Sequence, residues 1–297
     1  MPIRVPDIVL KDTALANIAR NAVRLAQLNA QVSSGKRVLS PADDAVAYAR
    51  AKGLRGVLTA AAQYKDNIGR AQEHLSVAET SLASMEELLA RAKEIALEQA
   101  NPTYDATQRA TVAQEAQQLI DSLVTLGNTE VEGQHLFAGF ATGTPPFDAT
   151  GAYAGDSGVR NVEVGPGVVV AENITGDQFL KGAGGGVDAF GLLTQLRDAL
   201  QTNDVAGISA TIDALGTAGE QITRARMTVG FRLNSLDTHQ SNLDEATFQT
   251  QQLLSGAEDL DYTQAVSELV LRQNNLDVAR STLAKILGGS AIINLIG

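Results

Sequence analysis

The stretch that decides the fold is residues 208–254, ISATIDALGTAGEQITRARMTVGFRLNSLDTHQSNLDEATFQTQQLL. Mostly apolar residues recur along it at steps that alternate between four and three residues, with no interruption. This heptad pattern is typical of helices that pack along a shared seam. The stretch therefore predicts one long helix with a helical partner. The seam positions are Ile208, Ile212, Leu215, Gly219, Ile222, Arg226, Val229, Leu233, Leu236, Gln240, Leu243, Thr247, Thr250 and Leu254.

A second long heptad pattern lies earlier in the chain and predicts that partner. A repeat of seven residues runs through Ile68, Leu75, Leu82, Leu89 and Ala96, and the intervening seam positions are Ala71, Ala78, Met85 and Ala92. This alternation favours close helix packing. Ser-Pro at 40–41 is typical of a helix start, and Asn-Pro at 101–102 is typical of a helix end. A third helix is predicted from Asp105, and another over residues 188–201.

Both ends of the chain carry shorter helices with the same kind of pattern. The first helix is predicted from about residue 7 to a break at 33–40, and the last follows a break at 255–256. Polar seam residues fix register or the choice of partner, and a terminal helix can leave the body of the molecule. These helices are therefore predicted to serve subunit assembly. The candidate assembly positions are Leu15, Ile18, Leu25, Asn29, Val32, Val266, Leu269, Gln273, Leu276, Arg280, Leu283 and Leu287.

The middle of the chain loses the helical period. Residues 133–191 hold 14 of the 27 glycines and three of the seven prolines. Short apolar runs at 136–140, 159–164 and 168–173 are separated by Gly, Pro and Asp, which predicts strands joined by turns. We interpret this segment as a small β-rich insertion.

The predicted fold class is mainly α. The N- and C-terminal halves form an elongated antiparallel helical bundle or coiled coil, with the β-rich insertion between them. Three regions follow. Residues 1–40 with 257–297 form a terminal coiled-coil region for assembly, 41–134 with 188–256 form the long-helix core, and 135–187 form the insertion.

Composition excludes several classes of function. The formal net charge is −11, and a general nucleic-acid binder needs a basic face. The absence of Cys excludes disulfides, thiolate nucleophiles and thiolate metal sites. No run approaches the ~20 apolar residues of a membrane span, so membrane insertion is not expected. The start of the chain shows no apolar signal core, so export would not use an ordinary cleaved signal peptide.

Motifs that carry chemistry are missing. His74, His135 and His239 are far apart in the sequence, and none lies in a metal-ligand motif. No phosphate-binding loop and no nucleophile elbow occurs. The sequence therefore predicts no catalytic residues, no metal site and no cofactor, and an enzyme is the weakest hypothesis.

Two blocks of residues resemble bacterial flagellins and their relatives. Residues 32–44, VSSGKRVLSPADD, resemble the N-terminal block of that superfamily. Residues 136–156, with Phe-Ala-Gly, Pro-Phe and Tyr-Ala-Gly-Asp, resemble the start of the insert in its hook–filament junction branch, the hook-associated protein 3 family. The resemblance spans nearly the whole chain. The matching positions are Ser34, Gly35, Lys36, Asp43, Asp44, Phe137, Gly139, Phe147, Tyr153, Gly155 and Asp156.

The resemblance implies a structural subunit of the bacterial flagellum that is exported and lies outside the cell. Its implied partners are other copies of itself in a helical assembly, a hook-associated protein on the hook side, flagellin, and a cytoplasmic export chaperone that binds the C-terminal helix. A minor flagellin is the alternative within the superfamily. A cytoplasmic helical signalling module also fits the long heptads, but the β-rich insertion disfavours it.

Overall fold

The computed structural model describes the backbone of residues 4–296 and the side chains of residue 9 and residues 12–285. It confirms a mainly α fold with a small β region. The helices are α1 (Arg4–Ser34), α2 (Ala45–Gln99), α3 (Ala106–Gly127), α4 (Gly176–Phe179), α5 (Ala189–Gln201), α6 (Val205–Glu258) and α7 (Tyr262–Ile296). The strands are β1 (Glu130–Val131), β2 (Gln134–His135), β3 (Asn161–Gly165) and β4 (Val168–Ala171). Among the described helices, none is long and apolar enough to cross a membrane.

The chain divides into two compact units. The first unit comprises residues 1–59 and 246–297, and the second comprises residues 60–245. Helices α2 and α6 contribute residues to both units.

Within residues 60–245, α2 and α6 run antiparallel. The Gln72 amide donates to Asp237 at 2.7 Å, and Arg226 contacts Glu79 at 2.6 Å, so rising numbers on α2 meet falling numbers on α6. The predicted heptad positions of α2 from Ile68 onward are buried. Fully burying such an aliphatic side chain contributes about 1.5–3 kcal/mol, so this seam is the main source of cohesion. Of the predicted seam positions on α6, the fully buried ones are Ile208, Leu215, Ile222, Val229 and Leu236.

Helices α3 and α5 complete this bundle. Helix α3 returns along α2, where Glu115 accepts from Arg91 at 2.8 Å. It begins as predicted, because the Asp105 carboxylate accepts the amides of Thr107 and Gln108 in a capping box. Helix α5 packs antiparallel to α3, since Arg197 bonds Gln117 while Asn203, just after α5, bonds Arg109. It buries Phe190, Leu193, Leu196 and Leu200.

Two predicted helix boundaries were wrong. Helix α2 begins at Ala45 rather than near residue 40, because the Asp43 carboxylate accepts the preceding amides of Leu39 and Ser40 and holds a turn there. Helix α6 continues through the predicted break at 255–256 to Glu258. A glycine inside a helix costs about 1 kcal/mol, which the rest of a long helix can offset.

The β region contains two hairpins, β1 with β2 and β3 with β4. The predicted strands at 159–164 and 168–173 are confirmed as the antiparallel pair β3 and β4, with Val162 opposite Val170. The predicted strand at 136–140 was wrong, and turns occupy it. Gly139 has a φ of +73°, which is incompatible with an extended strand.

Candidate assembly face and motif contacts

Helices α1 and α7, which we call the terminal helix pair, pack antiparallel in the first unit. The Tyr262 hydroxyl donates to the Val32 carbonyl at 3.1 Å. Towards the other end of the pair, the Arg24 guanidinium lies 3.7 Å from the Glu268 carboxylate. Few polar contacts join the two helices, so apolar side chains along the seam hold them together.

The terminal seam uses only part of the predicted set. Leu276 is buried with an exposed fraction of 4%. Five more predicted residues are half-buried, and five are exposed. The half-buried residues are Ile18, Leu25, Val32, Leu269 and Leu283. The exposed residues are Leu15, Asn29, Val266, Gln273 and Arg280. The side chain of Leu287 lies outside the described residues.

Three inward residues were missed by sequence reasoning: Leu28, Gln31 and Ala265, all buried. Two heptad frames fit positions 18, 25 and 32. One frame adds positions 22 and 29 and the other adds positions 21 and 28, and both have alternating steps of three and four residues. Spacing alone could not choose between these frames. The signal that could have found the right frame was Leu28, which is larger and more apolar than its neighbour Asn29.

A set of apolar side chains on the terminal helix pair is exposed to solvent. We call this the outward face and define it by the exposed residues Val9, Leu15, Val23, Val266, Val270, Leu271 and Val278. A single exposed apolar residue is ordinary, but a set of this size on two paired helices is typical of an interaction surface. Asn29, Gln273 and Arg280 are exposed on the same two helices.

The motif at residues 32–44 joins two connections of the first unit. The Arg37 amide donates to the Glu258 carbonyl at 2.7 Å, and the Leu260 amide donates to the Gly35 carbonyl at 3.0 Å. Gly35 has a φ of +72°, which an L side chain rarely adopts. The α1–α2 connection is therefore bonded to the α6–α7 connection through backbone groups.

Glu258 is the charged centre of this contact. Its carboxylate is 5% exposed and lies 2.8 Å from the Lys36 ammonium, and the Arg55 guanidinium donates to its other oxygen. The Arg37 guanidinium donates to the Ala257 carbonyl at 3.0 Å. A buried carboxylate needs such partners to offset its desolvation.

The remaining residues of this motif shape the turn. The Ser34 hydroxyl accepts the Lys36 amide at 3.2 Å. The backbone amide of Ser40 holds the pKa of Asp43 below its usual range, with help from the Gln27 amide. The Ala47 amide likewise lowers the pKa of Asp44, the residue that precedes the start of α2. The Asp-Asp pair is thus occupied by main-chain amides.

The second motif builds the core of the insertion. The Asn128 side chain makes two hydrogen bonds to the backbone of Phe147. Its Nδ2 donates to the Phe147 carbonyl at 2.8 Å, and its Oδ1 accepts from the Phe147 amide at 2.9 Å. The Phe147 ring is buried between Tyr153 and Phe190, with ring centroids 5.2 and 5.1 Å away. Phe137 stacks edge-on against Phe179 at 5.1 Å. Aromatic pairs of this kind add about 0.5–1.5 kcal/mol each beyond their burial.

Tyr153 and Asp156 lock the turns around that core. The Tyr153 hydroxyl lies 2.9 Å from the Phe137 and Asp156 carbonyl oxygens, and burial raises the pKa of Tyr153. The Asp156 carboxylate accepts the Phe140 amide at 2.9 Å, which lowers the pKa of Asp156. A Cβ at Gly139 would collide with this carboxylate, and one at Gly155 would lie 2.5 Å from the Tyr153 hydroxyl. Both glycines are therefore required by close approach.

The histidines do not come together. His135 Nδ1 lies 2.9 Å from the Asn128 carbonyl oxygen, which is a structural contact. Among the residues whose side chains are described, no group of three His, Asp or Glu is placed to hold a metal ion.

Comparison with known proteins gives consistent findings. The family description "Bacterial flagellin N-terminal helical region" matches residues 8–142. Flagellar hook-associated protein 3 of Escherichia coli is 27% identical, covering 87% of this chain and 89% of that protein. The protein of the same name from Salmonella typhimurium is 26% identical, covering 97% of this chain and 98% of that protein. A solved structure of a putative flagellar hook-associated protein from Vibrio parahaemolyticus is similar, with a TM-score of 0.67 and 28% identity over 73% of this chain and 100% of that one.

Proposed function

Because the chain is a member of the bacterial flagellin superfamily, we propose that it is the structural adaptor that connects the hook of a bacterial flagellum to the flagellin filament. The observation that carries the proposal is the match to hook-associated protein 3 over nearly the full length of both chains. The insertion supports the same branch, because its motif residues form one interlocked core around Phe147 and Tyr153.

The outward face supplies the mechanism of assembly that we propose. Its exposed valines and leucines would be covered by the terminal helices of neighbouring copies. Burial contributes about 25 cal/mol for each Å² of apolar surface removed from water, so an added subunit is held by many modest contacts. Asn29, Gln273 and Arg280 would set the register between copies, because polar residues in an apolar seam tolerate few alternative pairings.

The three regions then have separate roles in the proposal. Residues 1–40 with 257–297 serve assembly, residues 41–134 with 188–256 form the long-helix core, and residues 135–187 form an insertion that faces outward in the assembly. The partners are further copies of the chain, a hook-side hook-associated protein and flagellin. Helix α7 is also the segment that we expect an export chaperone to cover in the cytoplasm, since its apolar face would otherwise meet water before assembly.

We assign no catalytic role to this subunit and place it outside the cell as part of the flagellum. Motif carboxylates that could suggest chemistry are engaged in the fold. Asp43, Asp44 and Asp156 accept main-chain amides, and Glu258 pairs with Lys36 and Arg55.

Deleting the gene separates this function from that of a minor flagellin. Loss of the adaptor should leave hooks without filaments and release flagellin into the medium, and a plasmid copy should restore filaments. Filaments of normal length in the deletion strain would instead support a minor flagellin.

A further inference from the structure

A cleft of about 370 Å³ opens beside α6, on the side that carries the loop at residues 183–186. Its apolar lining comes from Ile174, Phe179 and Ala225. Its polar lining comes from Gln178, Gln221, Arg224, Thr228 and Arg232. The lining holds two arginines and no carboxylate, although Asp and Glu outnumber Lys and Arg in the chain by 34 to 23. The cleft is therefore a locally positive site on an acidic protein.

Arg232 is the unusual group in this cleft. It is half-buried, and its guanidinium donates to the Asn173 carbonyl at 2.5 Å. Among the described residues it has no carboxylate partner. Burial alone lowers the pKa of Arg232, with no nearby anion to oppose it. Half-buried charges are normally paired, so the guanidinium has capacity for an anion from outside the chain.

Two further features face the same space. Arg224 lies two helical turns before Arg232, and among the described side chains its only ion pair is with Glu220 at 3.6 Å, on the exposed side of α6. Across the cleft, Gly184 and Gly185 have φ values of +94° and +107°, and a Cβ on either would meet nothing within 4 Å. Without side chains, this loop leaves its backbone open to close approach by a ligand. The amides of Ala183, Gly185 and Gly186 already donate to carbonyl oxygens of the chain, so among the described residues the Gly184 amide is the loop donor left for a ligand.

We propose that this cleft binds an oxyanion, a phosphate or carboxylate group, between Arg232, Arg224 and the Gly184 amide of the loop at 183–186. Arginine suits both groups because its planar fork of N–H donors matches their paired oxygens. The apolar lining from Phe179 and Ala225 would accommodate a short aliphatic stem on the anion. The oxyanion could come from free phosphate or from the carboxylate of an acidic side chain on another protein.

Titration of the full-length, ¹⁵N-labelled protein with sodium phosphate and, separately, with sodium acetate tests the proposal. The amide signals of Gly184 and Gly185 should shift and saturate with at least one of the two anions, while sodium chloride at equal ionic strength should not reproduce the shifts. Saturation with phosphate at lower concentration than acetate would point to free phosphate. Saturation with acetate at equal or lower concentration would point to a protein carboxylate.

Three variants make the test specific. Arg232→Gln and Arg224→Gln should each weaken binding by about tenfold or more, because each removes charge-assisted hydrogen bonds to the anion. Arg224 is exposed, so its variant tests the site even if Arg232→Gln disturbs the contact with Asn173. Arg70→Gln removes the same charge from the exposed surface of α2 and should bind normally. Unsaturable shifts, or equal weakening in Arg70→Gln, would overturn the proposal.

Discussion

Replacing Glu258 with Gln should loosen the contact between the two connections of the first unit. The variant keeps the size of the side chain and leaves the backbone bonds from Arg37 to residue 258 and from Leu260 to Gly35 in place, but it removes the negative charge. The carboxylate is 5% exposed and is paired with Lys36 and Arg55. A hydrogen bond to a charged group contributes about 1.5–3 kcal/mol. Both cations are about two-fifths exposed and can return to water, so we reduce the total to about 1–2 kcal/mol.

Amide hydrogen exchange is the appropriate assay, because it reports local opening of this unit separately from global unfolding. The amides of Arg37 and Leu260, which bond across the contact, should exchange about 5–30-fold faster in the Glu258→Gln variant. A matched control is Glu268→Gln on α7, whose carboxylate makes only longer contacts of 3.4 and 3.7 Å with two arginines. The control should change the same rates by less than about threefold. Equal effects in the two variants would refute the role we give to Glu258.

Three further predictions follow from individual side chains. Leu276→Ala removes a buried side chain and should lower the free energy of unfolding by about 2–4 kcal/mol in chemical denaturation. Val278 is 63% exposed, so Val278→Ala should change that free energy by less than about 0.5 kcal/mol but reduce self-assembly measured by light scattering. The reverse ranking of the two variants would contradict our assignment of inward and outward positions. Gly139→Ala should lower the free energy of unfolding by about 2 kcal/mol or more, because the φ of +73° and the adjacent Asp156 carboxylate exclude a Cβ. The near-ultraviolet circular dichroism of the aromatic core should weaken. An unchanged spectrum and stability would contradict this. The Arg226 guanidinium lowers the pKa of Glu86 in the folded protein. The pair therefore stabilises the fold above the ordinary glutamate pKa of about 4.3, and this contribution is lost as the pH falls through the lower pKa of the folded state. Arg226→Gln should make stability depend less steeply on pH in the acid range, and an unaltered slope would contradict this.

The long helices could be predicted from the sequence because their signal is redundant. In α2 and α6 many consecutive heptads agree, so one polar residue such as Arg226 does not obscure the seam. Arg226 also shows why that seam tolerates a charge. It reaches Glu79 and Glu86 on α2 and leaves no unpaired group behind. The structure of such segments can be predicted from sequence because the local pattern and the tertiary packing agree.

The terminal helix pair and the insertion were harder for physical reasons. In α1 two heptad frames share the same spacing, and packing against α7 selects the one with Leu28 inward. In the insertion, the fold depends on side chains that bond distant main-chain groups, such as Asn128 with Phe147 and Asp156 with Phe140. Neither contact has a local periodicity, so strand patterns alone predicted a strand at 136–140 where turns lie and missed the short strands β1 and β2.

The position of the protein along the flagellum tests the central claim most directly. Intact flagella can be labelled with a gold-conjugated antibody against residues 135–187, the insertion that we propose faces outward, and viewed by electron microscopy. The adaptor function predicts label confined to one short zone between hook and filament. Label distributed along the filament, or absent from that zone, would contradict the account.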